Sequence, residues 1–198
     1  QYDFFYHEHL NYYTLKSLKY LFKLYELNIT DIEKTNVHGG SIRVTLQNLI
    51  LNKKFKSTKV EKKLKIEKIV NLNYFKNFEK NILNQKNTMI KLLDKLTLEK
   101  KNIIGFGASG RGTTFLNYCG INKKYIKYIV DASPLRAGKY MPGLKIPIYN
   151  IDYLKKNAHK IDYILIIAWN YQNSIIKQVK KINKDIKFII PFPYPNIL

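Results

Sequence analysis

The sequence lacks the features of a secreted, disulfide-bonded or membrane-embedded protein. Cys119 is its single cysteine, which excludes an internal disulfide and suits the reducing cytoplasm, where we expect the protein to be located. No stretch comes near the roughly 18 consecutive apolar residues that a membrane-spanning helix requires. We therefore expect neither a disulfide framework nor a membrane partner.

Acidic residues and arginine are also scarce. The chain has 35 lysines and arginines against 14 acidic residues, and its formal net charge is +21. A basic adaptor that binds nucleic acid through lysine-rich helices is one interpretation of this charge. Only Arg43, Arg111 and Arg136 are arginine, however, and phosphate clamps and base readers favour the bidentate guanidinium. We therefore predict no nucleic-acid partner and expect the charge to attract phosphorylated small molecules.

The composition is that of a globular protein, with 45% hydrophobic residues, 16 tyrosines and 10 phenylalanines. The first residue is Gln1 instead of methionine, and the sequence shows no signal peptide. We therefore expect the chain to be a piece of a longer protein.

Hydrophobic spacing in the first hundred residues predicts a small α+β segment and then a long helix. Thr14 is a suitable N-cap for the first helix, and His38-Gly39-Gly40 predicts a tight return between two strands. The predicted elements are a helix over 15–27, strands over 29–37 and 41–46, a polar linker over 53–59 and helices over 60–96.

From Lys101 onward the pattern changes to strands that alternate with helices. The predicted strands are 102–106, 128–131, 146–149, 163–168 and 187–191, and the predicted helices are 111–118, 151–157 and 172–182. Such alternation predicts a parallel sheet with right-handed crossovers. The predicted fold class is α/β, a Rossmann-like parallel sheet with flanking helices. We expect three parts, which are 1–56, a helical connection over 57–100 and the Rossmann-like domain over 101–198.

A glycine-rich loop follows the first strand of this domain and precedes its first helix. It matches the pattern G-x-G-x-x-G, in which glycines let the backbone turn tightly and let a phosphate reach the first main-chain N–H groups of the helix. The predicted ligand-binding residues of the loop are Gly105, Gly107, Ala108, Ser109, Gly110, Arg111 and Gly112. A tight turn used only for packing is the alternative.

Four further residues are candidates for binding the same ligand. Asp131 ends the next strand, where an acid can accept hydrogen bonds from a ribose diol. Arg136 and Lys139 lie in a loop punctuated by proline and glycine and are placed to reach a diphosphate, or they are ordinary surface charges. Asn170 follows the third core strand and either faces the ligand crevice or bonds its own backbone.

The opening segment contains a second candidate site, Tyr6-His7-Glu8-His9. His9 beside Glu8 is a plausible general base with an acid to orient it. The H-x-H spacing also suits a metal ion, and His38 is a candidate third ligand. The sequence does not place three ligands together, however, and we predict no metal site. Aromatic packing around a hydrogen-bonded histidine is the alternative.

Four motifs in order resemble one known family. They are FFYHEHLNYYTLKSL, NVHGGSIRV, GFGASGRGTTFLNYCGI and YIVDASPLRAGKYMPGLKIPI. Together they resemble the C-terminal portion of sugar C-methyltransferases, which use S-adenosylmethionine to methylate nucleotide-linked keto-sugars, and the resemblance covers nearly the whole chain.

The resemblance implies a function that the motifs alone do not give. Members of the family have an N-terminal zinc-binding domain, a middle methyltransferase domain that binds most of the S-adenosylmethionine, and a C-terminal Rossmann-like domain that helps to hold a nucleoside diphosphate sugar. The family's Tyr-x-Glu-His pattern falls on Tyr6, Glu8 and His9, and its histidine is the proposed base. The resemblance thus implies that the other partner is the rest of the parent methyltransferase, that zinc binds only outside this chain, and that the chain alone is inactive.

A second interpretation depends on the loop and Asp131 alone. These residues also suit an NAD(P)-binding oxidoreductase or a dinucleotide-binding module. That interpretation lacks an obvious partner for hydride transfer downstream of the loop.

Overall fold

The computed structural model describes residues 2–6, 8–35, 40–50, 57–67 and 71–198. The chain divides into two compact units, one made of Gln1–His9 with Asn81–Leu198 and the other of Leu10–Lys80. The opening residues therefore share a unit with the glycine loop, far from them in sequence. The division into domains at residues 56 and 100 stays a prediction.

The Leu10–Lys80 unit is a small α+β structure. Its elements are helix α1 (Leu15–Lys23), antiparallel strands β1 (Leu27–Thr35) and β2 (Ser41–Asn48), helix α2 (Thr58–Glu67) and the first part of helix α3 (Leu72–Leu98). Thr14 caps α1 as predicted, since its hydroxyl accepts a hydrogen bond from the N–H of Ser17 at 3.1 Å. The predicted turn at His38-Gly39 and residues 53–56 of the predicted linker lie outside the described residues.

The core of this small unit is formed by apolar side chains from α1, β1 and α2. Leu15, Ile29, Ile32 and Val60 are buried together. The Glu67 carboxylate accepts hydrogen bonds from the N–H groups of Leu15 and Lys16, at 2.9 and 3.0 Å. A carboxylate at this position satisfies two unpaired donors of the first turn of α1 and complements the helix dipole.

The larger unit is a six-stranded sheet with helices on both faces. Its strands are β3 (Ile103–Phe106), β4 (Ile129–Val130), β5 (Ile148–Tyr149), β6 (Tyr163–Ile166), β7 (Lys187–Ile190) and β8 (Asn196–Ile197). Their order is β5-β4-β3-β6-β7-β8, and all adjacent pairs are parallel except β7 and β8. Strands β4 and β5 follow β3 on one side, and β6 and β7 then follow on its other side. The direction of strand order therefore reverses between β3 and β6. This is the predicted Rossmann-like fold, in which ligands bind outside the carboxyl ends of the strands.

Alternating side chains of the sheet form two cores. The helices of this unit are the later part of α3, α4 (Gly110–Cys119), α5 (Ile151–Asn157) and α6 (Gln172–Lys180). Ile103 packs with residues of α3 and α4 on one face, and Ile104 packs with residues of α5 and α6 on the other. Each fully buried side chain of this size stabilises the fold by about 1.5–3 kcal/mol.

The predicted elements of this unit are confirmed, with ends that differ by a few residues. Strands β4 and β5 are each two residues long instead of the predicted 128–131 and 146–149. Strand β8 was not predicted, because Pro193 and Pro195 just before it give no strand signal. Within the described residues, no helix is both long and apolar enough to cross a bilayer.

Candidate functional site

Three glycines of the loop are required by close contacts with the sheet. A Cβ at Gly105 would lie 2.6 Å from the Cδ1 of Ile167, and a Cβ at Gly112 would collide with the Cγ2 of the same residue. Gly107 has a φ of +97° and lies directly against Ala168. The loop therefore uses these positions to bring α4 close to β3 and β6, which is one of the roles of glycine in such motifs.

Gly110 differs from the other three because it is exposed at the start of α4 and has room for a side-chain carbon. A Cβ there would meet the ring of Tyr6 at 3.4 Å, an ordinary van der Waals distance. Ser109 caps the helix, since its hydroxyl accepts a hydrogen bond from the N–H of Gly112 at 3.1 Å. The loop residue at the helix start and the tyrosine of the opening segment are therefore neighbours.

Asp131 lies behind the loop and holds it in shape. Its side chain is nearly buried, with the residue 5% exposed. One carboxylate oxygen accepts a hydrogen bond from the N–H of Ala108 at 2.7 Å, and the other accepts one from the N–H of Ser133 at 2.8 Å. Arg136 approaches the same carboxylate, with Nη1 at 3.2 Å from Oδ2. A contact between Asp131 and a ribose stays a prediction.

Most main-chain donors of the loop have partners inside the protein. The N–H of Gly107 donates to Val130 O at 2.8 Å, and the N–H of Ala108 donates to Asp131. Within the described part of the chain, the N–H groups of Gly110 and Arg111 have no acceptor. These two donors at the start of α4 remain for an anion.

The basic loop that follows β4 folds back onto β5. The N–H of Gly138 donates to Ile148 O at 2.9 Å, and the N–H of Ile148 donates to Lys139 O at 2.9 Å. Further along, the N–H of Met141 donates to Ile146 O at 2.8 Å. These bonds fix the backbone around Lys139 and leave its side chain exposed to solvent.

The glycine loop and the basic loop border one cavity of about 540 Å³. Its size is in the range of small-molecule and cofactor sites. Six of the predicted site residues line it, namely Tyr6, Ala108, Ser109, Gly110, Arg136 and Lys139. The other predicted residues, Glu8, His9, Gly105, Gly107, Arg111, Gly112, Asp131 and Asn170, are not part of its lining.

Sequence reasoning missed several residues that line the cavity. Thr113, Thr114 and Asn117 continue the face of α4 that begins at Gly110, and Tyr140, Met141, Pro142 and Ile148 complete the wall. The spacing of three, four and seven residues after Gly110 puts the first three on one face of a helix. That spacing is visible in the sequence and was the signal available for finding them.

Arg111 forms an ion pair within the protein. Its Nε and Nη2 donate to Oδ2 of Asp3 at 2.9 and 2.5 Å, and the Nε1 of Trp169 donates to the same oxygen at 2.9 Å. The guanidinium also lies 3.8 Å from the centre of the Phe4 ring. The anion expected beside this arginine is thus supplied by Asp3, and a contact between Arg111 and a phosphate stays a prediction.

His9 lies beside the tyrosine that lines the cavity. The centre of its ring is 4.5 Å from the centre of the Tyr6 ring, and its Nδ1 is 2.9 Å from Phe4 O. A carbonyl oxygen only accepts hydrogen bonds, so this contact places a proton on Nδ1 and, in the neutral ring, the basic lone pair on Nε2.

Glu8 and Asn170 are exposed, and Asn170 lies in the 3₁₀ turn Trp169–Tyr171 after β6. Among the residues that the structure describes, no three His, Cys, Asp or Glu side chains are grouped to hold a metal ion. His7 and His38, considered as metal ligands in the sequence, lie outside the described residues.

A buried hydrogen-bond chain anchors the start of the opening segment. The Tyr2 hydroxyl donates to Oε1 of Gln85 at 2.8 Å, and Nε2 of Gln85 donates to Pro191 O at 2.7 Å. The Tyr2 hydroxyl also lies 3.4 Å from Sγ of Cys119. Burial raises the pKa of both the Tyr2 phenol and the Cys119 thiol, so both groups are neutral in this core.

Comparison with known proteins agrees with the resemblance seen in the motifs. C-methyltransferase NovU from Streptomyces niveus is 29% identical over 201 residues, an alignment that covers 100% of this chain and 47% of that protein. The chain thus spans about half the length of this relative. A solved structure of UDP-D-quinovosamine 4-dehydrogenase from Vibrio fischeri shares 21% identity over 46% of this chain and 78% of its own, with a TM-score of 0.35, too low to support an argument.

A comparison with protein families also gives a match. The model of the family described as C-methyltransferase C-terminal domain matches residues 36–193, which is most of the chain and includes both loops that border the cavity. The chain therefore belongs to the family of C-methyltransferase C-terminal domains.

Proposed function

We propose that this chain is the substrate-binding part of an S-adenosylmethionine-dependent C-methyltransferase that acts on a nucleotide-linked keto-sugar. The observation that carries the proposal is the lining of the cavity near 540 Å³. It joins the start of α4, two basic side chains and the tyrosine of the Tyr6–His9 segment. A diphosphate and a reacting sugar ring need this combination close together.

The cavity suits a nucleoside diphosphate. The N–H groups of Gly110 and Arg111 are donors for a phosphate oxygen, and the dipole of α4 favours negative charge at this end. Arg136 and Lys139 add two positive charges on the opposite loop. Arg136 is held by Asp131, so its guanidinium is oriented before a ligand binds.

His9 is the residue that we propose to remove a proton from the sugar. A keto group acidifies the hydrogen on the neighbouring carbon, and Nε2 of His9 takes that proton while the electron pair moves into the enolate. S-Adenosylmethionine, when bound, would supply an electrophilic methyl group to the enolate carbon, with the electron pair of the broken C–S bond leaving on the sulfur of S-adenosylhomocysteine. Tyr6 lines the cavity, lies against the His9 ring and orients the sugar, and exposed Glu8 lies beside His9 in sequence.

The methyl donor is expected to bind to parts of the protein outside this chain. The cavity of about 540 Å³ matches the nucleotide-sugar in size and charge, and the chain aligns with 47% of NovU, so about half of that methyltransferase has no counterpart in this chain. We therefore propose that the S-adenosylmethionine and zinc sites belong to the rest of the parent enzyme, and that this chain alone does not catalyse methyl transfer.

Two observations favour this proposal over an NAD(P)-binding oxidoreductase. Both oxygens of Asp131 already accept hydrogen bonds from main-chain N–H groups, whereas a dinucleotide-binding acid would face a ribose. Asp3 joins Arg111 after β3 to Trp169 after β6, so the chain itself fills space at the strand reversal that a second nucleotide half would need.

Calorimetric titration of the chain with nucleoside diphosphates, nucleoside diphosphate sugars and NAD tests the binding step. We expect the diphosphates to bind, and Lys139→Gln to weaken them about tenfold because one close charge-assisted contact is lost. Lys160→Gln is the matched control, since Lys160 is an exposed lysine that does not line this cavity. Tight NAD binding without binding of any nucleoside diphosphate sugar contradicts the proposal.

A second experiment tests the chemistry with the full-length protein that contains this chain. Keto-sugar substrates are incubated in heavy water, and exchange of the hydrogen beside the keto group is followed by NMR. We expect exchange with the wild-type protein and its loss in His9→Gln. Exchange that continues unchanged in His9→Gln would remove this residue as the base.

A further inference from the structure

Asp3 is buried far more completely than an unpaired carboxylate tolerates. The residue is 1% exposed, and its Oδ2 accepts three hydrogen bonds, from Nε and Nη2 of Arg111 and from Nε1 of Trp169. Arg111 lies in the first turn of α4 and Trp169 begins the 3₁₀ turn after β6, so one carboxylate joins the segments that follow the two central strands. A buried pair of this kind needs excellent geometry to offset the loss of hydration.

The guanidinium of Arg111 contacts two aromatic rings in addition to the carboxylate that its N–H groups bind. Its guanidinium lies 3.8 Å from the centre of the Phe4 ring and 4.6 Å from the centre of the Trp169 ring. The opening segment thus contributes both the carboxylate that pairs with Arg111 and one of the rings that stack on it. Planar stacking and a side-on contact are properties of arginine that lysine does not share.

The pair is not arranged for the greatest stability. Among the residues that the structure describes, Oδ1 of Asp3 and Nη1 of Arg111 are buried without a hydrogen-bond partner. Buried polar atoms of this kind lower stability. The Asp3–Arg111 pair leaves these two buried atoms without partners, yet it fixes the opening segment against α4. This combination indicates that the pair serves to position the segment more than to stabilise the fold.

Short contacts connect this pair to the proposed reacting residues. Arg111 directly follows Gly110, and a Cβ on Gly110 would lie 3.4 Å from the Tyr6 ring. The Thr114 hydroxyl, one turn further along α4, donates to Phe5 O at 3.1 Å. The N–H of His9 donates to Tyr6 O at 3.0 Å, so the position of Tyr6 also sets that of His9.

We infer that Asp3 is a positioning residue, which through Arg111 and Trp169 holds the opening segment on α4 and sets Tyr6 and His9 at the edge of the cavity. This inference rests on the proposed function. Asp3 does not line the cavity. Its loss therefore lowers the rate of proton removal and leaves binding of the nucleoside diphosphate in place.

The test compares Asp3→Asn with Asp152→Asn, an exposed carboxylate paired with Lys155. In the full-length protein we expect Asp3→Asn to lower kcat about 10- to 100-fold, because misplacement of a reacting group by about 1 Å has an effect of this size. We expect KM to stay within about threefold and Asp152→Asn to behave as wild type. An unchanged kcat in Asp3→Asn overturns the inference.

A double variant separates positioning from stability. Asp3→Asn leaves the buried Arg111 charge unpaired, and adding Arg111→Met removes that charge, so we expect the melting temperature to recover. If Asp3 acts only on stability, kcat recovers too, and the inference is overturned. If Asp3 acts by position, kcat stays low because the double variant still lacks the ion pair between the opening segment and α4.

Hydrogen exchange keeps this test independent of the proposed function. In the 198-residue chain we expect Asp3→Asn to speed exchange at the N–H groups of Tyr6 and His9, while Asp152→Asn does not. Unchanged exchange at both N–H groups overturns the inference. If the wild-type protein methylates none of the keto-sugars, the proposed function is contradicted. The hydrogen-exchange result still decides whether Asp3 holds the opening segment on α4.

Discussion

The carboxylate of Asp131 accepts a hydrogen bond from the main-chain N–H of Ala108 at 2.7 Å. The first residue after β4 therefore fixes the conformation of the loop after β3. The same carboxylate holds Arg136, which lines the cavity. One buried acid thus shapes both walls of the proposed diphosphate site.

Replacing this acid should destabilise the larger unit. Asp131→Ala leaves the buried N–H of Ala108 without an acceptor, and we expect the free energy of unfolding to fall by about 1–3 kcal/mol. Asp131→Asn keeps one carbonyl oxygen and should lose less. Urea unfolding measures both, with exposed Asp152→Ala as the control that we expect to leave stability unchanged. Equal stability of wild type and Asp131→Ala would remove the holding role of this residue.

Two glycines on one turn of α4 should respond differently to alanine. Gly112→Ala places a methyl group against the buried Cγ2 of Ile167, and we expect a loss of about 1–3 kcal/mol in the free energy of unfolding from overpacking. Gly110→Ala meets only the Tyr6 ring at 3.4 Å and should not lower stability. It narrows the cavity, however, so nucleoside diphosphates should bind more weakly.

Thermal melts and calorimetry distinguish the two effects. The expected result is a lower melting temperature for Gly112→Ala only and weaker nucleoside diphosphate binding for Gly110→Ala. A destabilised Gly110→Ala variant would mean that this position is also needed for packing.

Tyr2→Phe tests the hydrogen-bond chain that ends at Pro191. The variant keeps the ring but leaves Oε1 of buried Gln85 without its donor, and we expect a loss of about 1–3 kcal/mol in the free energy of unfolding. Tyr20→Phe, at an exposed tyrosine, is the control. Denaturant unfolding of the two variants side by side gives the comparison, and equal midpoints would show that the Tyr2 hydroxyl contributes nothing measurable.

Alkaline pH should weaken the fold through Cys119. Burial raises the pKa of this thiol in the folded protein above its unfolded value. Its contribution to stability is therefore complete below the unfolded pKa, about 8.5, and is lost as the pH rises toward the folded pKa. Urea unfolding at several pH values from about 7 to 9.5 should show this fall. The fall should be smaller in Cys119→Ala, and equal slopes for the two proteins would contradict the assignment.

The sequence was sufficient for the order of elements because apolar spacing and glycine positions mark them strongly. Gly120, at φ +71°, ends α4 within two residues of the predicted end, and Thr14 and Ser109 cap their helices. Strand β8 was not predicted because its two residues after Pro195 are too few to show an alternation of apolar and polar side chains. Its pairing with β7 depends on tertiary contacts alone.

The site was only partly predictable, because sequence motifs do not say which partner a polar group chooses. Asp131 and Arg111 are suited to a ribose and a phosphate, but they pair with Ala108 and Asp3, which are distant in sequence. Nothing in the residues near Arg111 identifies Asp3 as its partner. The face of α4 that carries Thr113 and Asn117, in contrast, follows from helical spacing and could have been found.

The membership of Gln1–His9 in the larger unit has a consequence for how this protein assembles and for how it can be divided. The intervening Leu10–Lys80 makes the ion pair between Asp3 and Arg111 a contact of long sequence separation, and we expect such a contact to form later in folding than the local ones. A truncated chain that starts at Asn81 would retain every strand of the sheet. It would nevertheless leave Arg111 and Trp169 without Asp3 and Oε1 of Gln85 without Tyr2, so the boundary chosen from the sheet alone would yield an incomplete domain.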